Sequence, residues 1–193
     1  MATYGARYIK FAPLKNEPDD AIPTYENAVQ IAELQKLSDS PSFNEGKQAG
    51  DDRTVEYVSE FKEADVDVEV TDLDNKQQAT ILGATISGTD AQEELAFGAD
   101  DTAPYGGLGC VICRIRNNIK TYQGVLYTKA KASMQGEEFE TKGDSIALKG
   151  GKLKFKAMAP KYGKWKIKSS MFSSFDAAKS WIDTKLPAAA GNS

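Results

Sequence analysis

The sequence predicts a mainly β protein, and three observations carry that prediction. Apolar and charged residues alternate at period two in EADVDVEV (Glu63–Val70), KLKFK (Lys152–Lys156) and KWKIK (Lys164–Lys168). Turn formers separate the strand-like runs, among them Asn117-Asn118 and APKYG at Ala159–Gly163. Two short stretches, about 74–82 and 175–186, carry helix start and stop signals.

Taken in order, Tyr4–Ala12 is the first expected strand, with Tyr8, Lys10 and Ala12 opposed to Ile9 and Phe11. Asn16–Tyr25 carries two prolines and acidic turn formers and reads as a loop, and Ala28–Leu37 as a further strand. The run from Ser38 to Arg53 is rich in Ser, Asp, Gly and Asn, and is expected to be a long loop or extended arm; loops of that length tend to be functional. In Glu63–Val70, Val66, Val68 and Val70 share one face and Asp65, Asp67 and Glu69 the other. The first helix is capped by Asp72 or Asp74 and stopped by Gly83. Cys110–Lys120 and Thr121–Ala132 read as a strand pair, and so do Ser145–Ala157 and Tyr162–Ser170. In that last pair Lys152, Lys154 and Lys156 oppose Leu153 and Phe155, while Lys164, Lys166 and Lys168 oppose Trp165 and Ile167; two adjacent strands would present a lysine face. The closing helix has Ser174 as N-cap, a stripe of Ala178, Trp181 and Ile182, and Pro187 as its stop. The expectation is one domain over 1–187 and a disordered tail at 188–193.

Composition excludes much chemistry. The chain has no histidine, which rules out a Ser/His/Asp triad, a Cys/His nucleophile and His-containing zinc sites. The two cysteines form a CxxC within GLGCVICRIR (Gly107–Arg116), but β-type flanks put residues three apart on opposite faces, so Cys110 and Cys113 read as strand residues, with Arg114 and Arg116 sharing a face. YGGLG lacks phosphate-loop spacing and precedes a strand, and the pairs Asp19-Asp20, Asp51-Asp52 and Asp100-Asp101 read as turn formers. No cofactor, metal or catalytic residue is expected. No run is long and apolar enough to cross a bilayer, and no secretory signal is read at the N-terminus, so reduced thiols and a cytosolic site of synthesis are expected.

Net charge is −4, but residues 1–101 hold 8 Lys+Arg against 22 Asp+Glu, and residues 102–193 hold 16 against 6. Such polarity fits self-association or a nucleic-acid surface; alternatively the two halves interleave in one fold and their charges pair.

The joint order of several elements resembles the major tail protein, or tail tube protein, of bacteriophages with long non-contractile tails. These elements are GDDRTVEYVSEFKEADVDVEVTDLD (Gly50–Asp74), FGADDTAPYGGLG (Phe97–Gly109), FETKGDSIALKGGKLKFKA (Phe139–Ala157), KWKIK and SFDAAKSWIDTKL. The resemblance spans nearly the whole chain, and the chain departs from it at Cys110 and Cys113, where relatives carry aromatic or aliphatic residues. It implies a tail-tube-type β-sandwich or barrel with a flanking helix, similar also to the type VI secretion tube protein. Six copies would form a ring, rings would stack into a tube in the virion, and tape measure, tail terminator and distal tail proteins would be partners. Phage DNA would transit an acidic lumen without specific binding, with assembly in the bacterial host cytoplasm. Candidate contacts between subunits or rings are Asp51, Asp52, Arg53, Arg114, Arg116, Lys152, Lys154, Lys156, Lys164, Lys166 and Lys168, and the candidate lumen face is Asp65, Asp67 and Glu69. The competing expectation is a monomeric β-rich binding module that contacts nucleic acid or an acidic partner through the lysine-rich hairpin.

Overall fold

The computed structural model describes residues 2–50, 53–133, 135–136 and 150–188. Its strands are β1 (Ala2–Asn16), β2 (Thr24–Tyr25), β3 (Val29–Gln30), β4 (Leu34–Gly50), β5 (Arg53–Val70), β6 (Thr85–Ser87), β7 (Glu94–Ala96), β8 (Tyr105–Arg116), β9 (Ile119–Ser133), β10 (Gly151–Ala157) and β11 (Lys166–Lys168). The helices are α1 (Asn75–Leu82) and α2 (Phe175–Lys185). The protein is mainly β.

Among the described residues, nine strands share one antiparallel sheet. Its main path runs β2-β1-β8-β9-β10-β5-β4, with β3 added to β1 and β11 to β9. The path curls round so that β1, beside the short end strand β2, packs against β4 at the other end. Residues 29–34 cross the seam. Val29 pairs with Phe11 on β1, and Leu34 pairs with Val70 on β5. Between them the Ile31 N–H donates to the Ile9 carbonyl at 3.0 Å and the Thr71 N–H to the Glu33 carbonyl at 2.9 Å.

The period-two pattern places one face of each strand inside this barrel. Ala64, Val66, Val68 and Val70 are buried there with Leu108, Val125, Leu153 and Phe155, and the rings of Phe11 and Phe155 meet at 5.7 Å. Each buried valine, leucine or phenylalanine side chain contributes about 1.5–3 kcal/mol by leaving water. The first helix forms as its end signals require. Asp74 and Gln77 make a reciprocal capping box, and Gly83 ends the helix at φ 78°. Following the C-terminal end of β5, α1 buries Ile81 in the interior cluster.

The second helix covers the opposite face of the sheet. Ser174 caps it, and Ala178, Ile182 and Leu186 bury against Val111 and Leu126. Gly107 and Gly109 of β8 and Gly124 of β9 serve this contact. A Cβ at Gly107 would lie 2.7 Å from the Tyr25 ring and 2.8 Å from Leu186, and one at Gly124 would lie 2.4 Å from the Trp181 ring. Tyr8, at φ 55° in a bulge of β1, donates from its hydroxyl to Asp183, and Lys10 meets the same carboxylate at 2.6 Å. Burial pushes the Asp183 carboxyl upward, but the hydrogen bonds from Lys10 and Tyr8 outweigh it and leave the group below the ordinary aspartate value.

Several expectations are corrected. Residues 38–50 are not a loop: they continue β4 against β5, with Ser38 opposite Asp67 and Gly50 opposite Arg53. A polar run with a proline forms a strand here because β4 is the edge of the sheet, where Pro41 needs no ladder partner on its open side. The expected strand Ala28–Leu37 is divided between β3 and β4, since it changes partner at the seam. The two lysine strands do not pair with each other. Each pairs with β9, β10 along Ala130–Ser133 and β11 along Val125–Tyr127, while the other edge of β10 is taken by β5. The 145–149 part of that expected pair, Asp51, Asp52 and the tail from 189 lie outside the described residues; Ala188 bridges to Ala28.

The CxxC reading holds in its geometry. Cys110 belongs to the interior cluster, Cys113 lies three residues on, and both are free and buried. Burial raises both thiols, Cys110 to about 12. Native protein is therefore expected to leave both cysteines unmodified by an aromatic disulfide reagent at pH 8, with both reacting promptly in guanidinium chloride. Fast native labelling of Cys110 would contradict its placement.

Candidate assembly interface

Beyond Ser42 and Glu63, β4 and β5 hydrogen-bond only to each other among the described residues, because β10 accompanies β5 only from Ala64 to Val70. The distal part is thus a two-stranded arm projecting roughly 30 Å at about 3.3 Å per residue. Two-stranded hairpins are marginal in water, and open strand edges invite another chain. The arm is anchored by stacking: Trp165 lies on Phe61 at 4.3 Å with an interplanar angle of 5°, and Phe43 meets Phe61 edge-on at 6.0 Å.

Further out, Phe43, Tyr57 and Val58 are 49%, 51% and 48% exposed, which is unusual for side chains of this size on one short element. They divide between two faces. Register puts Phe43, Phe61, Lys47 and Tyr57 on one side, and Glu56, Val58 and Glu60 on the other. Opposite Val58 is Gly46, so no cross-strand side chain shields it. Sequence reasoning did not single out these apolar residues; the available signal was a lone Phe in the polar run SPSFNEG and a Tyr-Val pair amid acids.

The candidate lumen residues and the first lysine strand turn out to be direct neighbours. Lys152, Lys154 and Lys156 pair in register with Glu69, Asp67 and Asp65. Lys154 reaches Asp65 at 3.4 Å, Lys156 reaches Glu63 at 2.8 Å and Asp65 at 3.8 Å, and Lys36 reaches Glu69 at 3.5 Å. The hydrogen bond to Glu63 raises the Lys156 ammonium. The result is a mixed ribbon on the outside of the barrel, made of four carboxylates from β5 and four lysines from β4 and β10.

The three lysines of KWKIK, two on β11 and Lys164 just before it, part company. Lys164 and Lys168 are exposed, and Lys164 lies over the Tyr162 ring at 5.0 Å. Lys166 turns inward beside Tyr127, its ammonium 5.1 Å from that ring, and forms an ion pair with Asp39 of β4. The alternation expected of KWKIK is corrected here: Trp165 and Lys166 both turn to the interior, beside Tyr127, while Ile167 packs under α2, because the segment pairs regularly with β9 only from Lys166 onward.

Arg114 is half-buried near the end of β8, with Thr121 opposite it on β9; Arg116 ends β8 opposite Ile119, and Arg53 opens β5. The charge poles of the sequence are interleaved. Besides the ribbon, Glu17 pairs with Lys129 at 2.7 Å, Asp19 with Lys161 at 3.5 Å, Asp39 with Lys166 and Asp183 with Lys10, each joining the acidic and basic parts of the chain. The Lys129 hydrogen bond holds Glu17 below the ordinary glutamate value. The local totals still differ: residues 34–70 carry ten Asp+Glu against four Lys+Arg, whereas β1, β8 and β9 carry eight Lys+Arg and no acid.

The chain matches no protein-family model and no curated protein sequence at a significant level.

Proposed function

We propose that this protein is a structural subunit that associates with copies of itself into rings and stacks them into a phage tail tube. No catalytic step is part of this reading. The observation that carries it is the free arm of β4 and β5, which holds half-exposed Phe43, Tyr57 and Val58 away from the barrel and leaves strand edges open. An arm of this kind gains stability only by docking, and a contact between two different patches of one chain propagates into rings or filaments. The resemblance in element order supplies the particular assembly, with tape measure, terminator and distal tail proteins as partners and six copies per ring.

In this reading the outer ribbon, with Asp65, Asp67 and Glu69, lines the lumen. Its carboxylates and lysines nearly balance, and a charge-balanced wall neither grips nor strongly repels a passing polyanion. The nucleic-acid-binding alternative draws less support, because β10 and β11 form no joint lysine face and Lys154, Lys156 and Lys166 are engaged by carboxylates.

Negative-stain electron microscopy of the concentrated protein tests the reading. Rings or tubes about 100 Å wide are expected for six domains of this size. A protein that stays monomeric at all concentrations and shifts DNA in a salt-sensitive manner would overturn it.

A further inference from the structure

The two ends of the barrel are unlike. Pro13, Gly106, Ala130, Ala157 and Ala64 lie side by side across β1, β8, β9, β10 and β5 and mark a common level. On one side of it, residues 71–104 leave Val70 of β5 and return to Tyr105 of β8, so the whole segment caps that end. It holds seven Asp+Glu against Lys76 alone. Asp72, Asp74, Glu93, Glu94, Asp100 and Asp101 are exposed, and none forms an ion pair among the described residues. Beside α1 the cap has a groove of about 330 Å³, lined by Leu82, Phe97, Ala103 and Ala132 together with Asp101 and Lys131. Phe97 is 43% exposed there, and the Lys131 ammonium lies 5.2 Å from the Tyr105 ring.

The opposite end carries the reverse combination. There β8 and β9 join through a tight turn, with Asn117 at φ 49° and Asn118 at φ 60°. Ile119, the next residue, is 66% exposed, more than any other large apolar side chain among the described residues. Lys120 follows it, exposed and without an ion pair among the described residues. The strand ends gathered here, residues 2–7 and 114–122, hold four Lys+Arg and no acid. The arm stands at this end too, but its residues 43–62 hold five Asp+Glu against three Lys+Arg, so the cationic part is the β8–β9 tip.

We propose that the hairpin tip of one copy, Asn117–Lys120, docks end-on into the cap groove of the next copy. Ile119 enters between Leu82, Phe97 and Ala103, and Lys120 meets the carboxylates of residues 93–101. The contact rests on the self-assembly reading above and deepens it by naming how one ring meets the next. Charge selects this occupant, since an acidic cap around an apolar groove matches a cationic tip around an apolar knob. The two surfaces lie at opposite ends of the strands, so each copy offers its tip to one neighbour and its groove to another. Such a heterologous contact adds copies along the strand direction and leaves the arm for contacts within a ring. DNA is the weaker occupant of the tip. A phosphate backbone gains from cations but not from a bare isoleucine, and it has no use for an acidic groove.

An exposed knob can be altered without touching the core. Ile119→Asp is expected to keep native circular dichroism and to form rings, while the concentration needed for tubes rises roughly a hundred-fold, because an acid then meets an acidic groove. Placement is read directly by combining Phe97→Cys with Ile119→Cys. After mild oxidation of the assembled protein with copper phenanthroline, disulfides between copies should give a ladder of multimers on a non-reducing gel, with little linkage from either single variant. Cys110 and Cys113 are buried and do not take part. Normal tubes from Ile119→Asp, or assembled double-cysteine protein without a ladder, would overturn the contact while leaving self-assembly intact. DNA retention lost in Ile119→Asp with unchanged tubes would assign the tip to nucleic acid and also overturn it. Should Ile119→Asp fail to fold, the ladder decides. A wild-type chain that never associates would remove the assembly reading itself, and this contact with it.

Discussion

Replacing residues 44–60 with Asn-Gly is expected to leave a folded, soluble barrel that no longer forms rings or tubes. Phe43 and Phe61 are direct cross-strand partners, so a two-residue turn with both central residues at positive φ closes the shortened hairpin without altering register. The deletion removes no residue of the interior cluster, and it retains the stack of Trp165 on Phe61 that ties the arm to the barrel. Thermal stability should therefore shift little, by about 1 kcal/mol or less, as for changes away from packed positions. Assembly should be lost outright, because the deleted segment includes Tyr57, Val58 and the acidic face with Glu56 and Glu60. Sedimentation velocity and negative-stain images of the same preparation give both answers. Tubes of normal width from the shortened chain would remove the arm from assembly.

That arm also shows where the sequence is legible and where it is not. Period two reads well on Glu63–Val70 because every second residue is a valine with an acid between, and the faces come out as expected. The facing strand is harder to read. Residues 38–50 contain Ser, Asn, Gly and Pro, with weak strand preference, and only the ladder offered by β5 makes them a strand. A contact distant in sequence overrides local propensity there. The helices are legible for the opposite reason, since the cap at Asp74, the αL glycine at Gly83 and the cap at Ser174 are local.

Pairing partners are a second boundary. Alternation in KLKFK assigns faces correctly, and in KWKIK it does not, since Trp165 and Lys166 both turn inward and Ile167 packs under α2; neither pattern says which strand lies alongside, and both segments sit on β9 rather than on each other. The charge asymmetry likewise states how much charge each half holds and not where it goes. Register decides that, and it sets Lys152, Lys154 and Lys156 against the acids that the period had placed on one face of β5. Val58 and Ile119, both exposed, are single apolar residues in polar surroundings, and periodicity gives such residues no weight.

Asp39→Ala is expected to destabilise the barrel by about 3 kcal/mol, the low end for breaking a buried ion pair, since it strands the Lys166 ammonium. The two side chains are 26% and 16% exposed, so most of the charge is out of water. Lys166 has few alternatives: its ammonium already lies over the Tyr127 and Trp165 rings, and it approaches Asp39 from β11, across the barrel from the β4 edge. The pair therefore ties two strands that share no ladder. Replacing both partners with apolar residues of similar length, Asp39→Leu with Lys166→Met, should restore stability to near or above wild type, because desolvation of two charges is no longer required. Urea melts of the three proteins separate the possibilities. A double variant no more stable than Asp39→Ala would mean that relieving the two charges gains nothing, and equal midpoints for Asp39→Ala and wild type would mean that the pair is effectively solvated.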